Sequence, residues 1–202
     1  MKMSNYVPPV APMSKRAIEE EATKLVRTHY PHVLREPTEF PVLEFFDHVL
    51  REDYQLDTGV DELSDGVEGM TWPDGRVMVS EETYRGAAIG IPRCRFTVVH
   101  ESYHGLKHVR QIRKALVDSG ELVLYRRTTI EAYRDPEWQA NYFAGAILMP
   151  ATMVKRMAAG EGRLILPIAM AEVFTVSVAA ANVRLQKLRI SSEKESRTAG
   201  RG

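Results

Sequence analysis

The chain has 202 residues, 44% of them hydrophobic, and its 27 basic and 27 acidic side chains leave it with no net charge. This composition supports one buried core and excludes an intrinsically disordered chain, while the balanced charge provides no general attraction to nucleic acid or anionic membranes. No apolar run approaches the ~20 residues that span a bilayer and the first residues lack a signal-peptide core, which together predict a cytoplasmic protein.

The first half of the chain is predicted to contain two helices and a hairpin. Residues 1–13 are rich in proline and predict a flexible start, after which Ser14 is a suitable N-cap for a helix that ends near Arg27. The segment TEFPVLEFFDHVLRE predicts a second, shorter helix. Between residues 61 and 80, glycines and a Pro-Asp-Gly turn interrupt short extended runs, which is typical of a hairpin, and RVMVS is the better of its strands.

A longer helix is predicted from about Arg93 to Val117, and it contains the segment TVVHESYHGLKH. His100 and His104 are four residues apart, so they lie on one face of the helix and can bind the same Zn²⁺. Glu101 flanks that face without occupying a ligand position, where it can act as the base of an H-E-x-x-H metallopeptidase. His108 lies ~12 Å along the axis from His100, too far to share the ion, so we expect it at the surface or beside a ligand.

A catalytic zinc site generally takes three protein ligands, and the third is expected on the next strongly predicted helix, RDPEWQANYFAGAILMP. Glu137 is the best candidate, and Asn141, one turn further on, can hydrogen-bond a zinc-binding histidine. Two alternatives stay open at this point. Glu137 can serve only to stabilise the helix N-terminus, leaving the histidines on the polar face of an amphipathic helix. The remaining acidic candidates for the ligand are Asp135, Glu131 and Glu121.

The last quarter of the chain is predicted to be helical and then disordered. We expect a helix at about residues 152–159 and another over residues 168–189, broken near Thr175. This extension, residues 151–190, has the spacing of a helix-turn-helix. It carries few basic residues, so we expect it to pack on the core and not to bind nucleic acid. Residues 191–202 are small, polar and charged, and they predict a disordered tail.

RCRFTVVHESYH followed by EWQANYFAGAILMP resembles the ImmA/IrrE family of zinc endopeptidases, whose hallmark is an H-E-x-x-H helix and then an E-x-x-A-N-x-F-A helix. DGRVMVS is similar to the strand that precedes the active-site helix in that family. The resemblance covers about residues 14–150 and implies an α+β, zincin-like domain there, with a small, mostly antiparallel sheet packed on the H-E-x-x-H helix. It implies one zinc ion, or another divalent metal, held by His100, His104 and Glu137, with Glu101 as the base.

The resemblance also implies a function, the cleavage of a helix-turn-helix (Xre-type) transcriptional repressor that relieves repression. Two alternatives are the toxin of a toxin–antitoxin pair or a peptidase of broader specificity, and a non-catalytic transcription regulator. We expect the RVMVS strand (Val77, Met78 and Val79) to pair with an extended substrate by edge addition. No residue is assigned as the transition-state stabiliser; the nearby candidates in sequence are Tyr133, Tyr103 and Arg93.

Overall fold

A computed structural model describes residues 6–119, 125–126, 130–160 and 166–190. The α-helices in these ranges are α1 (Lys15–His29), α2 (Val42–Glu44), α3 (Leu50–Glu52), α4 (Glu81–Ala88), α5 (Pro92–Tyr103), α6 (Val109–Ser119), α7 (Pro136–Leu148), α8 (Ala151–Ala159), α9 (Leu166–Phe174) and α10 (Val178–Leu188). The strands are β1 (Tyr6–Val7), β2 (Asp57–Val60), β3 (Gly69–Thr71), β4 (Arg76–Val79) and β5 (Tyr125–Arg126). Two π-helical segments, Phe45–Val49 and His104–His108, join α2 to α3 and α5 to α6. The fold is therefore α+β, as expected, and mostly helical.

The central sheet has three strands in the order β2-β4-β3. Strand β3 pairs with β4 in antiparallel fashion, which confirms the predicted hairpin, whereas β2 pairs with β4 in parallel. The sheet is thus mixed, and the prediction of a mostly antiparallel sheet is wrong, because the hairpin places β4 beside β2 and parallel to it. A separate antiparallel ladder joins β1 to β5.

Strand β4 lies in the middle of this sheet, between β2 and β3. The side chains of Val77 and Val79 are fully buried, and both hydrogen-bonding edges of the strand are used by its neighbours. The prediction that Val77, Met78 and Val79 pair with a substrate is therefore wrong. Among the described strands, β2 and β3 lie at the edges of this sheet, and β3 borders the functional cleft described below.

Helices α1, α5 and α7 form the main helical layer of the core. The predicted N-cap of α1 is confirmed, since the Ser14 hydroxyl accepts a hydrogen bond from the amide of Ala17 at 3.1 Å. Helix α7 begins with the predicted cap and Pro136, and nearly all of its residues are buried. The ring of Tyr103 on α5 stacks on that of Phe143 on α7, with centroids 4.2 Å apart. This contact fixes α5 against α7, the two helices that carry the functional residues.

The start of the chain contacts the segment that precedes α7. The amides of Val10 and Met13 donate to the carbonyls of Arg134 and Tyr133, at 3.0 and 2.9 Å, and Val10 is buried. These contacts join residues 10–13 to the segment that leads into α7, and the flexible start stays a prediction. Residues 1–5, like the predicted disordered tail at 191–202, lie outside the described residues.

The C-terminal helices pack on the same core. Arg184 on α10 is only 1% exposed, and its guanidinium binds the carboxylate of Glu19 on α1 and the carbonyl of Met149. Helices α9 and α10 are bent by 113° at the predicted break. No described helix is by itself long and apolar enough to cross a membrane; α9 and α10 meet that test of length and composition only as a bent pair.

Candidate metal centre

The helix that carries the two motif histidines lies unusually close to the sheet. Gly105 faces β4, where an added Cβ would approach Cγ2 of Val77 to 2.5 Å. From His104 to His108 the helix widens into a π-helical turn, in which the amide of Val109 bonds to the carbonyl of His104. Such turns frequently occur at functional sites, and this one brings the side chain of His108 behind the ring of His104.

The side chains of His100, His104 and Glu137 converge. The two Nε2 atoms are 3.0 Å apart, and the Glu137 oxygens lie 3.3 Å from His100 and 3.4 Å from His104. Ligands about 2.0–2.1 Å from a tetrahedral zinc are about 3.3 Å from one another, which matches this spacing. Two imidazole nitrogens and one carboxylate are also a common donor set for catalytic zinc. The residues therefore fit a zinc ion, and among the described residues they form the one candidate cluster of this kind.

The acidic alternatives to Glu137 are placed differently. Asp135 caps α7, since its carboxylate accepts a hydrogen bond from the amide of Glu137 at 2.9 Å. That cap directs the first turn of α7 towards α5 and so positions the Glu137 side chain. Glu131 is exposed and is not part of the cluster, and Glu121 lies outside the described residues.

Glu101 extends from the same helix towards β3. The hydroxyl of Thr71 donates to a carboxylate oxygen of Glu101 at 2.8 Å, and a Cβ on Gly69 would lie only 2.7 Å from Cγ of Glu101. The glycine thus permits the close approach of β3, and the threonine orients the carboxylate. Burial raises the pKa of Glu101, against the opposing influence of His100 and of the Thr71 hydrogen bond, and a raised pKa favours proton acceptance.

His108 is the neighbour of a ligand, and the alternative of a surface position is wrong because its side chain is completely buried. Its Nδ1 lies 2.9 Å from Nδ1 of His104, and its Nε2 lies 3.1 Å from Oε1 of Gln139. Burial lowers the pKa of His108 to about 4 and that of His104 well below its usual value, so both rings are neutral near pH 7. The third i, i+4 histidine was the sequence signal for this contact, whereas nothing pointed to Gln139 as its partner.

Burial also disfavours the charged form of His100, but a hydrogen bond with Glu137 and the charges of Glu101 and Glu137 outweigh it and raise the pKa of His100. Asn141, the predicted partner of a zinc-binding histidine, lines the same cleft, and its side chain adds a small contribution to the raised pKa of His100. Asn141 therefore lies in the same cleft as the motif histidines.

The cluster opens into a cleft of about 590 Å³ between α5, α7 and the edge of β3. Of the three candidate transition-state stabilisers, Arg93 lines this cleft, but its guanidinium is bound to Glu68 at 2.7 Å. Tyr103 is a core residue, as expected, and its hydroxyl bonds to Glu21. The half-exposed Tyr133 is not among the described residues of the cleft.

A metal-binding H-E-x-x-H helix whose third ligand comes from a second helix, beside the edge of a small sheet, is the arrangement of a metallopeptidase. Residues 91–186 match the model of the Peptidase M78 family, described as the IrrE N-terminal-like domain. This match, which covers a little under half of the chain, confirms the resemblance to the ImmA/IrrE family. The match begins at the start of α5 and continues into α10, beyond the end of the predicted peptidase domain.

Among solved structures, the chain is similar to a Mycobacterium tuberculosis transcriptional regulator, with a TM-score of 0.55 and 16% sequence identity. The similarity covers 85% of this chain and 46% of the regulator, so the chain spans a little under half the length of that protein. At this identity the similarity shows a shared fold. No curated protein matches the chain in sequence.

Proposed function

We propose that the protein is a zinc-dependent endopeptidase that cleaves a helix-turn-helix (Xre-type) repressor in the cytoplasm. The observation that carries the proposal is the convergence of His100, His104 and Glu137 at the spacing of zinc ligands, with Glu101 directed into the same cleft. A structural zinc site has no need of a carboxylate beside an accessible cleft, which favours catalysis over a purely structural role.

In the proposed reaction His100, His104 and Glu137 hold the zinc ion. When bound, zinc polarises the scissile carbonyl and makes water more acidic. Glu101 accepts the proton of the attacking water and passes it to the leaving amine. Thr71 keeps the carboxylate of Glu101 in position between these two transfers, and Gly69 allows the substrate-facing strand to lie against it.

The substrate is proposed to bind as an extended segment along β3. This strand hydrogen-bonds to β4 on one side, and its residues Gly69 to Thr71 line the cleft beside Glu101. Addition of a strand to a sheet edge presents a peptide backbone without regard to most of its side chains. Folded proteins offer such segments mainly in linkers and loops, so a repressor linker is a suitable target.

A regulatory role is supported by the fold, because a solved structure that shares it is a transcriptional regulator. A direct role in DNA binding is not proposed, although α9 and α10 cross at an angle typical of a helix-turn-helix. Arg184 is buried against Glu19, and the ammonium of Lys187 lies over the ring of Tyr142 at 4.8 Å. These two cations of α10 are therefore engaged by the core.

The first experiment measures zinc content and peptidase activity in the purified chain. We expect about one Zn²⁺ per chain, strongly reduced in His100→Ala and Glu137→Ala. Glu101→Gln is expected to retain zinc while losing roughly 10²–10⁴-fold in turnover, because it lacks the base. Glu131→Gln, which changes an exposed carboxylate near α7, is the matched control and should alter neither quantity. Full zinc content in Glu137→Ala would contradict the ligand assignment.

The second experiment tests the substrate. The zinc-loaded protein is incubated with a helix-turn-helix repressor encoded beside its gene, and peptide masses and operator binding are followed together. Cleavage within a linker and loss of operator binding are expected, since separation of the paired half-site contacts weakens binding. An intact repressor alongside cleavage of unrelated peptides would favour the broader peptidase. An intact repressor with no cleavage of any peptide by the zinc-loaded protein would favour the non-catalytic regulator.

A further inference from the structure

Behind His104, on the side away from Glu137, lies a line of buried polar groups that the proposed reaction does not use. It consists of the ring of His108 and the amide of Gln139, both completely buried. Nδ1 of His104 faces Nδ1 of His108 at 2.9 Å, and Nε2 of His108 faces Oε1 of Gln139 at 3.1 Å. Buried polar groups that form a complete chain of hydrogen bonds can fix a single arrangement of protons.

The direction of this chain is set at its far end. Nε2 of Gln139 donates to the carbonyl oxygens of Ala11 at 2.9 Å and Tyr133 at 2.8 Å. A carbonyl oxygen can only accept, so both amide protons are used there and the amide oxygen must face His108. A carboxylate at position 139 has no proton to donate to these two carbonyls, which accounts physically for a glutamine in this chain.

The proton positions follow from this end. Because Oε1 of Gln139 accepts, Nε2 of His108 carries the proton of that neutral ring and its Nδ1 is an acceptor. Nδ1 of His104 must then carry the proton that lies between the two rings. Nε2 of His104 is left with its lone pair, and this is the atom that lies 3.4 Å from Glu137 in the candidate metal centre.

We propose that Gln139 and His108 are positioning residues that hold His104 in the tautomer and orientation required to bind the metal through Nε2. The inference rests on the proposed zinc site. It adds that the affinity of that site depends on two buried side chains that do not touch the metal, and through them on the backbone of the N-terminal segment at Ala11.

The packing around His108 supports a fixed ring. The ring of Tyr103 packs edge to face against it, with ring centroids 5.2 Å apart and ring planes at 88°. The centroid of the His104 ring lies 4.9 Å from that of His108. The π-helical turn places His108 at this distance from His104. Rotation of the His108 ring by half a turn would bring carbon atoms to both hydrogen-bonding positions, so the buried ring has one favourable orientation.

The test compares two substitutions in the full-length chain. In His108→Asn the side-chain oxygen can replace Nδ1 as the acceptor for His104, whereas His108→Leu offers no acceptor. Zinc affinity is measured by competition with a chelator, and Co²⁺ absorption reports the ligand geometry. We expect His108→Leu to bind zinc 10- to 100-fold more weakly, and His108→Asn to recover to within about threefold of the wild type. Ser102→Ala, which removes a buried hydrogen bond to Val98 in α5, is the matched control and should bind normally.

A second measurement does not depend on the folding of any variant. The ¹⁵N shifts of the imidazole rings in the metal-free wild type identify which nitrogen is protonated. We expect a proton on Nδ1 of His104 and on Nε2 of His108. The opposite pair of tautomers, or zinc affinity in folded His108→Leu within about threefold of the wild type, would overturn the inference. Failure of the wild type itself to bind zinc would instead refute the proposed metal site.

Discussion

The contact between Thr71 and Glu101 allows the proposed base to be tested without altering either the base or a metal ligand. Thr71→Val preserves the shape of the side chain and removes a hydroxyl that lies 2.8 Å from the Glu101 carboxylate. A hydrogen bond to a charged group contributes roughly 1.5–3 kcal/mol. If that hydrogen bond holds the carboxylate in its reacting orientation through the transition state, its removal should lower kcat/KM by about 10- to 100-fold, because the loss of orientation outweighs the basicity that Glu101 gains without it.

The assay measures kcat/KM on a cleaved peptide together with zinc content and unfolding by urea. Thr58→Val is the matched control. Thr58 lies in β2, and its buried hydroxyl donates to the carbonyl of Phe46 at 2.8 Å and does not contact Glu101. We expect both variants to lose comparable stability, to keep zinc and to differ only in activity. Equal activity of Thr71→Val and the wild type would refute the role of Thr71. An equal loss in Thr58→Val would show that the effect comes from general destabilisation.

Three further predictions concern stability. Gly105→Ala should lower the free energy of unfolding by about 1–3 kcal/mol, measured in urea, because its Cβ would collide with Val77. Arg184→Met should cost about 3 kcal/mol, since it leaves Glu19 and a buried carbonyl without their partner, whereas the exposed Arg85→Met should change little. The metal-free wild type should lose stability between pH 6.5 and about pH 4 more steeply than His108→Leu. The folded-state pKa of His108 is depressed, so the unfolded chain binds more protons in that window; equal slopes would contradict this.

The sequence was most informative where a local rule determines the structure. Ser14 and Asp135 cap their helices through short-range hydrogen bonds, and the residues that cap and stop α7 are adjacent to it in the chain. The spacing of His100 and His104 likewise depends on one helical turn. For these features, knowledge of the neighbouring residues was sufficient.

The errors arose where the outcome depends on distant pairing. Strand β4 was taken as an edge strand. Nothing in its own residues reveals that β2, which begins some 20 residues earlier, pairs with it in parallel. The partnership of Thr71 with Glu101 and of Gln139 with His108 spans 30 and 31 residues. The composition of the proline-rich start likewise does not reveal its backbone contacts with residues more than 100 positions away.

The candidate site therefore depends on two kinds of interaction with different roles. Apolar packing between α5 and α7, through the stacked rings of Tyr103 and Phe143, sets the distance between the backbones that carry the histidines and Glu137. Packing of this kind cannot select among orientations of an imidazole or a carboxylate, because its energy is nearly independent of which atom is polar. That selection requires the hydrogen bond that Thr71 donates to Glu101 and the one that His108 accepts from His104. Thr71 lies on β3, outside the motif helix, and His108 lies one turn beyond the last histidine ligand. The H-E-x-x-H sequence alone thus supplies the chemical groups, and the rest of the chain determines whether their atoms point at the same place.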